Sequence, residues 1–204
     1  THEFGHFCDD YVNWGMSYNM DVAECCSQGL EYLALEYLDG VCEAEEAEQL
    51  LGGKLLDTLD LYVWQGLYNA FEDAVYALDP QGLTVEDVTD TFAQVCGQFG
   101  FGPEVIDPRA WVDISHFFQQ PFYIISYPVS NDVAMQLWML EREEAGRGVG
   151  AFMALLDRPD PSGSLMDTVD YAGLASPFAS GRAEAVARAV GEALELEDAL
   201  PLAA

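Results

Sequence analysis

The sequence predicts an all-α protein in which the helices form one domain. Apolar residues recur at helical spacing through most of the chain. No segment alternates apolar and polar residues between hairpin turns, as the strands of a β-sheet would. Hydrophobic residues make up 50% of the 204 residues, which is enough for one sizeable packed core. The sequence contains no internal repeat and no low-complexity tract.

The first half of the chain contains four predicted helices, bounded by residues that favour helix ends: residues 21–38, 43–51, 55–78 and 84–99. Asp21 is the candidate N-cap of the first helix. Gly52 and Gly53 are expected to end the second helix before the third begins. Thr84 and Asp87 have the spacing of a capping box, in which each side chain bonds the backbone N–H of the other residue.

The second half contains four further predicted helices: residues 121–140, 148–156, 165–172 and 182–197. Pro128 is expected to bend the first of these, because a proline ring inside a helix removes one hydrogen bond. Large aromatic side chains surround this region, and Phe117, Phe118, Phe122 and Trp138 are expected to pack in the core.

The chain is strongly acidic, with 36 Asp and Glu residues against 7 Lys and Arg residues and a formal charge of −29. Such a surface repels phosphate groups, so we expect neither nucleic acid nor an anionic membrane as a partner. The longest apolar stretch, residues 121–129, is much shorter than the roughly 20 residues of a membrane-spanning helix. A soluble protein is therefore expected.

The cysteine content predicts free thiols. The five cysteines are an odd number and form no C-x-x-C pair: Cys8, Cys25, Cys26, Cys42 and Cys96. A chain of this size does not need disulfides for stability. We therefore expect buried or half-buried thiols and a reducing, cytoplasmic location.

The first six residues, THEFGH, contain a pattern typical of metal sites. In a helix, His2 and His6 lie one above the other, so both imidazoles can point at a single Zn²⁺ ion. Glu3 then lies beside the remaining coordination position. The chain has three histidines, and finding two of them at this spacing around a glutamate makes coincidence less likely. The alternative is an ordinary polar helix end.

A third ligand is needed to complete such a site, and zinc hydrolases take it from a following helix. Four acidic residues are candidates by position: Asp21, Glu24, Glu31 and Glu36. Glu24 and Glu31 are seven residues apart and share a helix face, so one could be the ligand and the other could lie behind it. Spacing alone does not choose between them.

The run DVAECCSQGLE, which begins at Asp21 and follows HEFGH, resembles the thimet oligopeptidase and oligoendopeptidase F family of zinc peptidases. The resemblance implies a multi-helix catalytic domain of the gluzincin type. It makes Glu31, at the end of a Ser-Gln-x-x-Glu pattern, the third zinc ligand beside His2 and His6. Glu24 is then an outer carboxylate that orients a ligand histidine or holds the helix pair together.

A second block resembles the same family: Trp111, the run HFF at residues 116–118 and the run PFYIISY at residues 121–127. By this resemblance, His116, Tyr123 and Tyr127 line the cleft opposite the metal. Their imidazole and phenol groups could donate hydrogen bonds to a carbonyl oxygen that gains negative charge. The segment from residue 163 to residue 197 is also similar to the family, so the resemblance covers nearly the whole chain.

Members of this family are much longer, and their N-terminal half forms the other wall of a deep substrate channel. The resemblance therefore implies that residues 1–204 are the C-terminal catalytic part of a zinc oligopeptidase. The fold is then truncated at its N-terminus. The absent N-terminal half and short peptide substrates are the expected partners.

The function implied by the resemblance is zinc-dependent hydrolysis of peptide bonds within short peptides. Glu3 acts as the general base and returns the proton to the departing amine. Tyr127, with His116 or Tyr123, stabilises the oxyanion. Two alternatives stay open: a non-catalytic helical fragment that cannot hold zinc alone, and a zinc carboxypeptidase with the same H-E-x-x-H motif. The aromatic block argues against the carboxypeptidase.

Overall fold

Helices dominate the structure, a computed structural model that describes residues 1–17 and 19–196. The α-helices are α1 (His2–Val12), α2 (Met20–Leu35), α3 (Ala44–Tyr76), α4 (Val85–Gln98), α5 (His116–Gln119), α6 (Ser126–Glu143), α7 (Arg147–Leu156), α8 (Leu165–Tyr171) and α9 (Arg182–Ala193). A 3₁₀ turn covers Ala110–Asp113. Within the described ranges there is no strand, only one isolated bridge between Asp39 and Cys42. The all-α prediction is confirmed.

The chain divides into two compact units that the sequence pattern did not reveal. The first unit contains Thr1–Leu59 and the described part of Val129–Ala204, and the second contains Asp60–Pro128. The boundaries fall inside α3 and α6, so no linker composition marks them.

In the first unit, α1 packs on α2, and both helices contact α7. Gly5 makes the close approach of α1 and α2 possible. A Cβ atom at Gly5 would lie 2.5 Å from the carbonyl oxygen of Cys26 and 2.5 Å from the Cα of Ser27, which is less than any real contact. The absence of a side chain at Gly5 therefore allows α1 to pack directly against α2.

A buried ion pair also anchors α1. The side chains of Asp9 on α1 and Arg158, just after α7, are both 1% exposed, and Arg158 Nη1 lies 2.6 Å from Asp9 Oδ1. Arg158 also donates to the carbonyl of Leu155 at 3.0 Å and to Ser17 Oγ at 2.7 Å. Because buried charges need partners, this network ties α1 to the end of α7.

The second unit has its own apolar core, formed by α3, α4 and the segment after them. Its buried members are Leu67, Phe71, Phe92, Val95 and Cys96. The predicted capping box starts α4: Asp87 N donates to Thr84 Oγ1 at 3.2 Å, and Thr84 N donates to Asp87 Oδ2 at 2.9 Å. These bonds satisfy two backbone donors and confirm the capping-box prediction.

Two predicted helices, residues 43–51 and 55–78, are one continuous helix, α3. The predicted break at Gly52 and Gly53 was wrong. Neither glycine has the positive φ that commonly ends a helix. Within a helix, each glycine lowers the stability of the helix by only about 1 kcal/mol relative to alanine. Interactions in the neighbouring turns can offset this loss.

The ends of two other helices also differ from the predictions. Asn19, not Asp21, caps α2, and its side chain accepts from the N–H of Asp21 at 3.1 Å. The predicted bend at Pro128 was wrong, because α6 begins at Ser126 and Pro128 lies in its first turn. A helix has no internal partner for an N–H in the first turn, so the proline removes no hydrogen bond there. Of the last predicted helix, Glu197 lies outside the described residues.

The predicted core aromatics divide into two groups. Trp138 is buried at 1% exposure, and Phe117 packs against the core of the second unit. Phe118 and Phe122 are 61% and 41% exposed, so placing them in the core was wrong. Helical spacing suggested burial, but these two residues lie in a four-residue helix and a turn, where that spacing does not persist.

All five cysteines are free, and burial raises the pKa of the Cys25 and Cys26 thiols. In the part of the chain that the structure describes, no helix combines the length and the apolar character needed to cross a bilayer.

Candidate active site

Helix α1 brings the two histidines of the motif together. His2 and His6 are one turn apart, and their ring centroids are 4.9 Å apart with the planes at 84°. The N–H of Gly5 donates to the carbonyl of Thr1 at 3.0 Å, so the helix is formed from its first turn. Both rings are half-buried.

A buried carboxylate on α2 joins the two histidines. His2, His6 and Glu24 each offer one ligand atom, and these atoms lie within 4.8 Å of one another. Glu24 Oε2 is 3.7 Å from His2 Nε2, and Ser27 Oγ donates to the same oxygen at 3.0 Å. Two imidazoles and one carboxylate are a typical donor set for catalytic zinc, so these residues fit that ion. We call them the histidine–glutamate cluster.

Glu31 lies on the other side of His2. Its Oε1 accepts from His2 Nδ1 at 2.7 Å, and its Oε2 accepts from Lys54 Nζ. The sequence expectation makes Glu31 the ligand and Glu24 the outer carboxylate; in the structure, Glu24 groups with His2 and His6, and Glu31 hydrogen-bonds His2 Nδ1. Both residues share one face of α2, so spacing could not distinguish them. In the structure, Glu24 lies near His2 Nε2 and Glu31 lies near His2 Nδ1.

Glu3 is exposed in the first turn of α1, between the two histidines in sequence. An exposed carboxylate next to candidate metal ligands is accessible to water and to a substrate. Its position is compatible with the predicted role as a proton acceptor.

The other three predicted site residues meet in the second unit. His116 and Tyr123 stack with centroids 5.9 Å apart and planes at 2°. Tyr127 meets both rings edge-on, at 5.9 Å from His116 and 5.3 Å from Tyr123. The Tyr127 hydroxyl is 3.4 Å from His116 Nε2, a long hydrogen bond. We call these three residues the aromatic cluster.

Glu72 supports this cluster, although the sequence did not predict a role for it. Its Oε1 accepts from the N–H of Phe122 at 2.8 Å, while its Oε2 is buried without a partner. Phe122 has φ of 61°, a left-handed conformation that is uncommon for an aromatic residue. Burial raises the pKa of Glu72, and the N–H of Phe122 partly opposes this. The only sequence signal was a glutamate beside Phe71 in the apolar pattern of residues 55–78.

The fold is that of a class of peptidases. The structure matches an X-ray structure at 3.1 Å of a protein described as an oligoendopeptidase F, with a TM-score of 0.79 and 21% identity. This match covers 97% of this chain and 36% of that chain. The predicted resemblance is therefore confirmed at the level of the fold.

Two further solved structures show the same likeness. PZ peptidase A, solved with an inhibitor, gives a TM-score of 0.74 at 20% identity and covers 87% of this chain and 32% of its own. A protein described as an oligoendopeptidase F from Bacillus anthracis gives 0.72 at 19% identity and covers 97% and 34%. The chain thus spans about a third of the length of these proteins. No protein-family model and no curated protein matches the sequence.

Proposed function

We propose that the chain carries the zinc-dependent active site of an oligoendopeptidase that hydrolyses short peptides. The observation that supports this best is the histidine–glutamate cluster, in which three ligand atoms lie within 4.8 Å of one another on the fold of oligoendopeptidase F. Because the chain spans about a third of such proteins, the proposal concerns a longer protein. Its remaining part is the proposed partner that completes the substrate channel.

We assign His2, His6 and Glu24 to the metal, and Glu31 to the orientation of His2. A carboxylate only accepts hydrogen bonds, so Glu31 keeps the proton on His2 Nδ1 and leaves Nε2 as the free donor atom. When bound, zinc supplies Lewis acidity that lowers the pKa of water to roughly 7 and polarises a carbonyl.

Glu3 moves the proton in this proposal. Its exposed carboxylate accepts a proton from the attacking water and then delivers that proton to the amine that leaves. Proton transfer by a positioned carboxylate typically contributes 10²–10⁴-fold in rate. The chain needs no covalent intermediate for this reaction.

The aromatic cluster supplies hydrogen-bond donors. We assign Tyr127, with His116 or Tyr123, to the carbonyl oxygen as it gains negative charge. The stacking of His116 on Tyr123 and the edge contacts of Tyr127 hold the three rings in defined orientations, which favours preorganised donors.

Zinc content tests the metal site. After exhaustive dialysis, atomic spectroscopy should find about one zinc per wild-type chain and almost none in His6→Ala. A wild-type chain that retains far less than one zinc would contradict the proposal and favour the non-catalytic helical fragment.

A pair of matched variants tests the ligand assignment. Glu24→Gln should weaken zinc binding more than Glu31→Gln, because the former removes a ligand and the latter removes an orienting group. Glu86→Gln, an exposed carboxylate on α4, serves as the control and should bind zinc like the wild type. The reverse order of losses would return Glu31 to the ligand position.

Peptide cleavage tests the reaction. A quenched fluorescent peptide should be cut by the wild type and about 10²-fold or more slowly by Glu3→Gln, with zinc content unchanged. Equal rates would reject Glu3 as the base. Mass spectrometry of the products should show internal cleavage, and removal of terminal residues alone would indicate a carboxypeptidase.

A further inference from the structure

Helix α3 fixes one half of the stacked ring pair in the aromatic cluster through a neighbouring residue. His116 is directly followed by Phe117, whose ring centroid lies 5.1 Å from that of Phe71 and 5.7 Å from that of Tyr68. Phe71 is 3% exposed and belongs to the core of the second unit. The backbone that carries His116 is therefore anchored by packing against α3.

The other half of the pair, Tyr123, ends a tight turn. Tyr123 N donates to the carbonyl of Gln120 at 3.1 Å, which closes a four-residue β-turn with Pro121 and Phe122 at its centre. Phe122 has φ of 61°, and a positive φ at the third position after a proline at the second is typical of a type II turn. The third position usually takes glycine or asparagine, because a bulky side chain disfavours positive φ. For phenylalanine, the type I turn with a negative φ is the ordinary choice.

Glu72 on α3 explains the uncommon turn. Type I and type II turns differ by a flip of the central peptide group, and the N–H of this group belongs to Phe122. Glu72 Oε1 accepts from that N–H at 2.8 Å, so the carboxyl group favours the orientation found in the type II turn. Tyr76, one helical turn further along α3, packs its ring against that of Phe122 at 4.9 Å between centroids. Two side chains of α3 therefore hold the turn, one at its backbone and one at its ring.

Stability alone does not explain a carboxyl group at this position. Glu72 is 2% exposed, and among the residues that the structure describes its Oε2 has no hydrogen-bond partner. Burying a carboxyl group with an unsatisfied oxygen costs free energy that an apolar side chain of similar size avoids. The described hydrogen bond of Glu72 acts on the turn instead, and the turn sets where the Tyr123 ring lies.

We propose that Glu72 is a positioning residue for the aromatic cluster, which acts by keeping the turn at Phe122 in the type II form so that Tyr123 stacks on His116. This inference rests on the proposed function, since it assumes that the cluster donates hydrogen bonds to the carbonyl oxygen of the substrate. Such donors stabilise the transition state only when they are already in place before the reaction.

The arrangement of the cluster can be measured by NMR, without activity or metal. The stacked ring of Tyr123 shifts the ring-proton signals of His116, and Tyr123→Leu gives the unstacked reference. We expect Glu72→Leu to move these signals most of the way to that reference. Glu72→Gln keeps an acceptor for the N–H of Phe122 and should stay near the wild type. Thr84→Ala weakens the same unit at the cap of α4 and should leave the signals in place. Unchanged signals in Glu72→Leu would overturn the inference.

A second background tests whether Glu72 acts through the turn. Glycine adopts positive φ readily, so Phe122→Gly should form the type II turn without help from Glu72. In that background, Glu72→Leu should cause little further movement of the His116 signals. Equal movements in the wild-type and Phe122→Gly backgrounds would overturn the role of the turn. A Glu72→Leu chain that unfolds would overturn it as well, because Glu72 would then serve stability and not position.

Peptide cleavage separates this inference from the proposed function. On the quenched fluorescent peptide, Glu72→Leu should lower kcat about tenfold or more and leave KM nearly unchanged, because displaced donors are missed mainly in the transition state. Glu72→Gln and Thr84→Ala should cut like the wild type. A wild type that cuts no peptide contradicts the proposed function, and the NMR comparison still decides whether Glu72 positions the cluster. A cutting wild type with an equal kcat in Glu72→Leu, or with a change in KM alone, overturns the role of Glu72 and leaves the proposed function intact.

Discussion

The two candidate clusters are held in place by different means. The histidine–glutamate cluster lies on two regular helices, and α1 is fixed by the contact at Gly5 and the buried pair of Asp9 and Arg158. The aromatic cluster comes from a four-residue helix, a turn and the start of α6. There, one buried carboxylate, Glu72, holds the backbone of Phe122 in a left-handed conformation. Helix packing holds the histidine–glutamate cluster in place. A loop that is bonded to one side chain, Glu72, holds the aromatic cluster in place.

Because of this difference, the two clusters should respond differently to mutation. Changes that move α1 relative to α2 should disturb the histidine–glutamate cluster and destabilise the protein at the same time, because the same contacts serve both purposes. Changes at Glu72 should affect a short turn, with a smaller effect on overall stability.

The largest effect is expected from Arg158→Met. The variant leaves the Asp9 carboxylate buried without its charge partner, which typically costs about 3–5 kcal/mol. Urea unfolding followed by circular dichroism measures the free energy of unfolding. Arg188→Met, an exposed arginine on α9, is the control and should change that free energy by less than about 0.5 kcal/mol. Similar values for the two variants would show that the buried pair does not anchor α1.

The second prediction concerns the contact between α1 and α2. Gly5→Ala places a methyl group 2.5 Å from the backbone of Cys26 and Ser27, so α1 must move outward. We expect a loss of about 1–3 kcal/mol in unfolding free energy and weaker zinc binding. Gly53→Ala is the matched control, since a Cβ there meets nothing within 4 Å. In the middle of α3 the alanine should stabilise the protein by up to about 1 kcal/mol. If zinc binding were unchanged in Gly5→Ala, the histidine–glutamate cluster would not depend on this helix contact.

Regular helices explain which features could be predicted from the sequence. The placement of His2 beside His6 follows from helical periodicity once α1 forms, and the Thr84 cap of α4 depends on residues three positions apart. Neither feature requires knowledge of distant contacts. The similarity of the chain to oligoendopeptidase F could also be predicted from the sequence. The motifs that carry this similarity lie within such local segments.

Features that depend on distant parts of the chain were not predictable. Glu24 and Glu31 share a helix face, and only the orientation of His2 on another helix separates them. Glu72 and Phe122 are 50 residues apart, so no local pattern links them. The helix break expected at Gly52 was wrong because packing and neighbouring turns, not the glycine itself, decide whether a helix continues.

The third prediction tests whether the second unit can be weakened without disturbing the histidine–glutamate cluster. Thr84→Ala removes the cap of α4 and should cost about 1 kcal/mol in unfolding free energy. Thr84→Ser keeps a hydroxyl that can accept from Asp87 N and should stay close to the wild type. Zinc affinity should be equal in all three proteins. A drop in zinc affinity for Thr84→Ala would show that the stability of α4 is coupled to the histidine–glutamate cluster.

The smallest effect concerns pH and Glu72. Burial raises the pKa of Glu72 above its ordinary value of 4.5, so the folded state binds this proton more tightly than the unfolded state does. The free energy of unfolding should therefore fall as the pH rises from 4.5 through the raised pKa of the folded protein. Glu72→Gln keeps a carbonyl oxygen for the N–H of Phe122 but does not titrate.

Urea unfolding across this pH range measures the stability of Glu72→Gln minus that of the wild type. The difference should grow in favour of the variant as the pH rises, because only the wild type must then bury an ionised carboxylate. Glu86→Gln, an exposed carboxylate on α4, should show a nearly flat difference over the same range. A flat or opposite trend for Glu72→Gln would mean that the Glu72 carboxyl does not titrate in a buried environment.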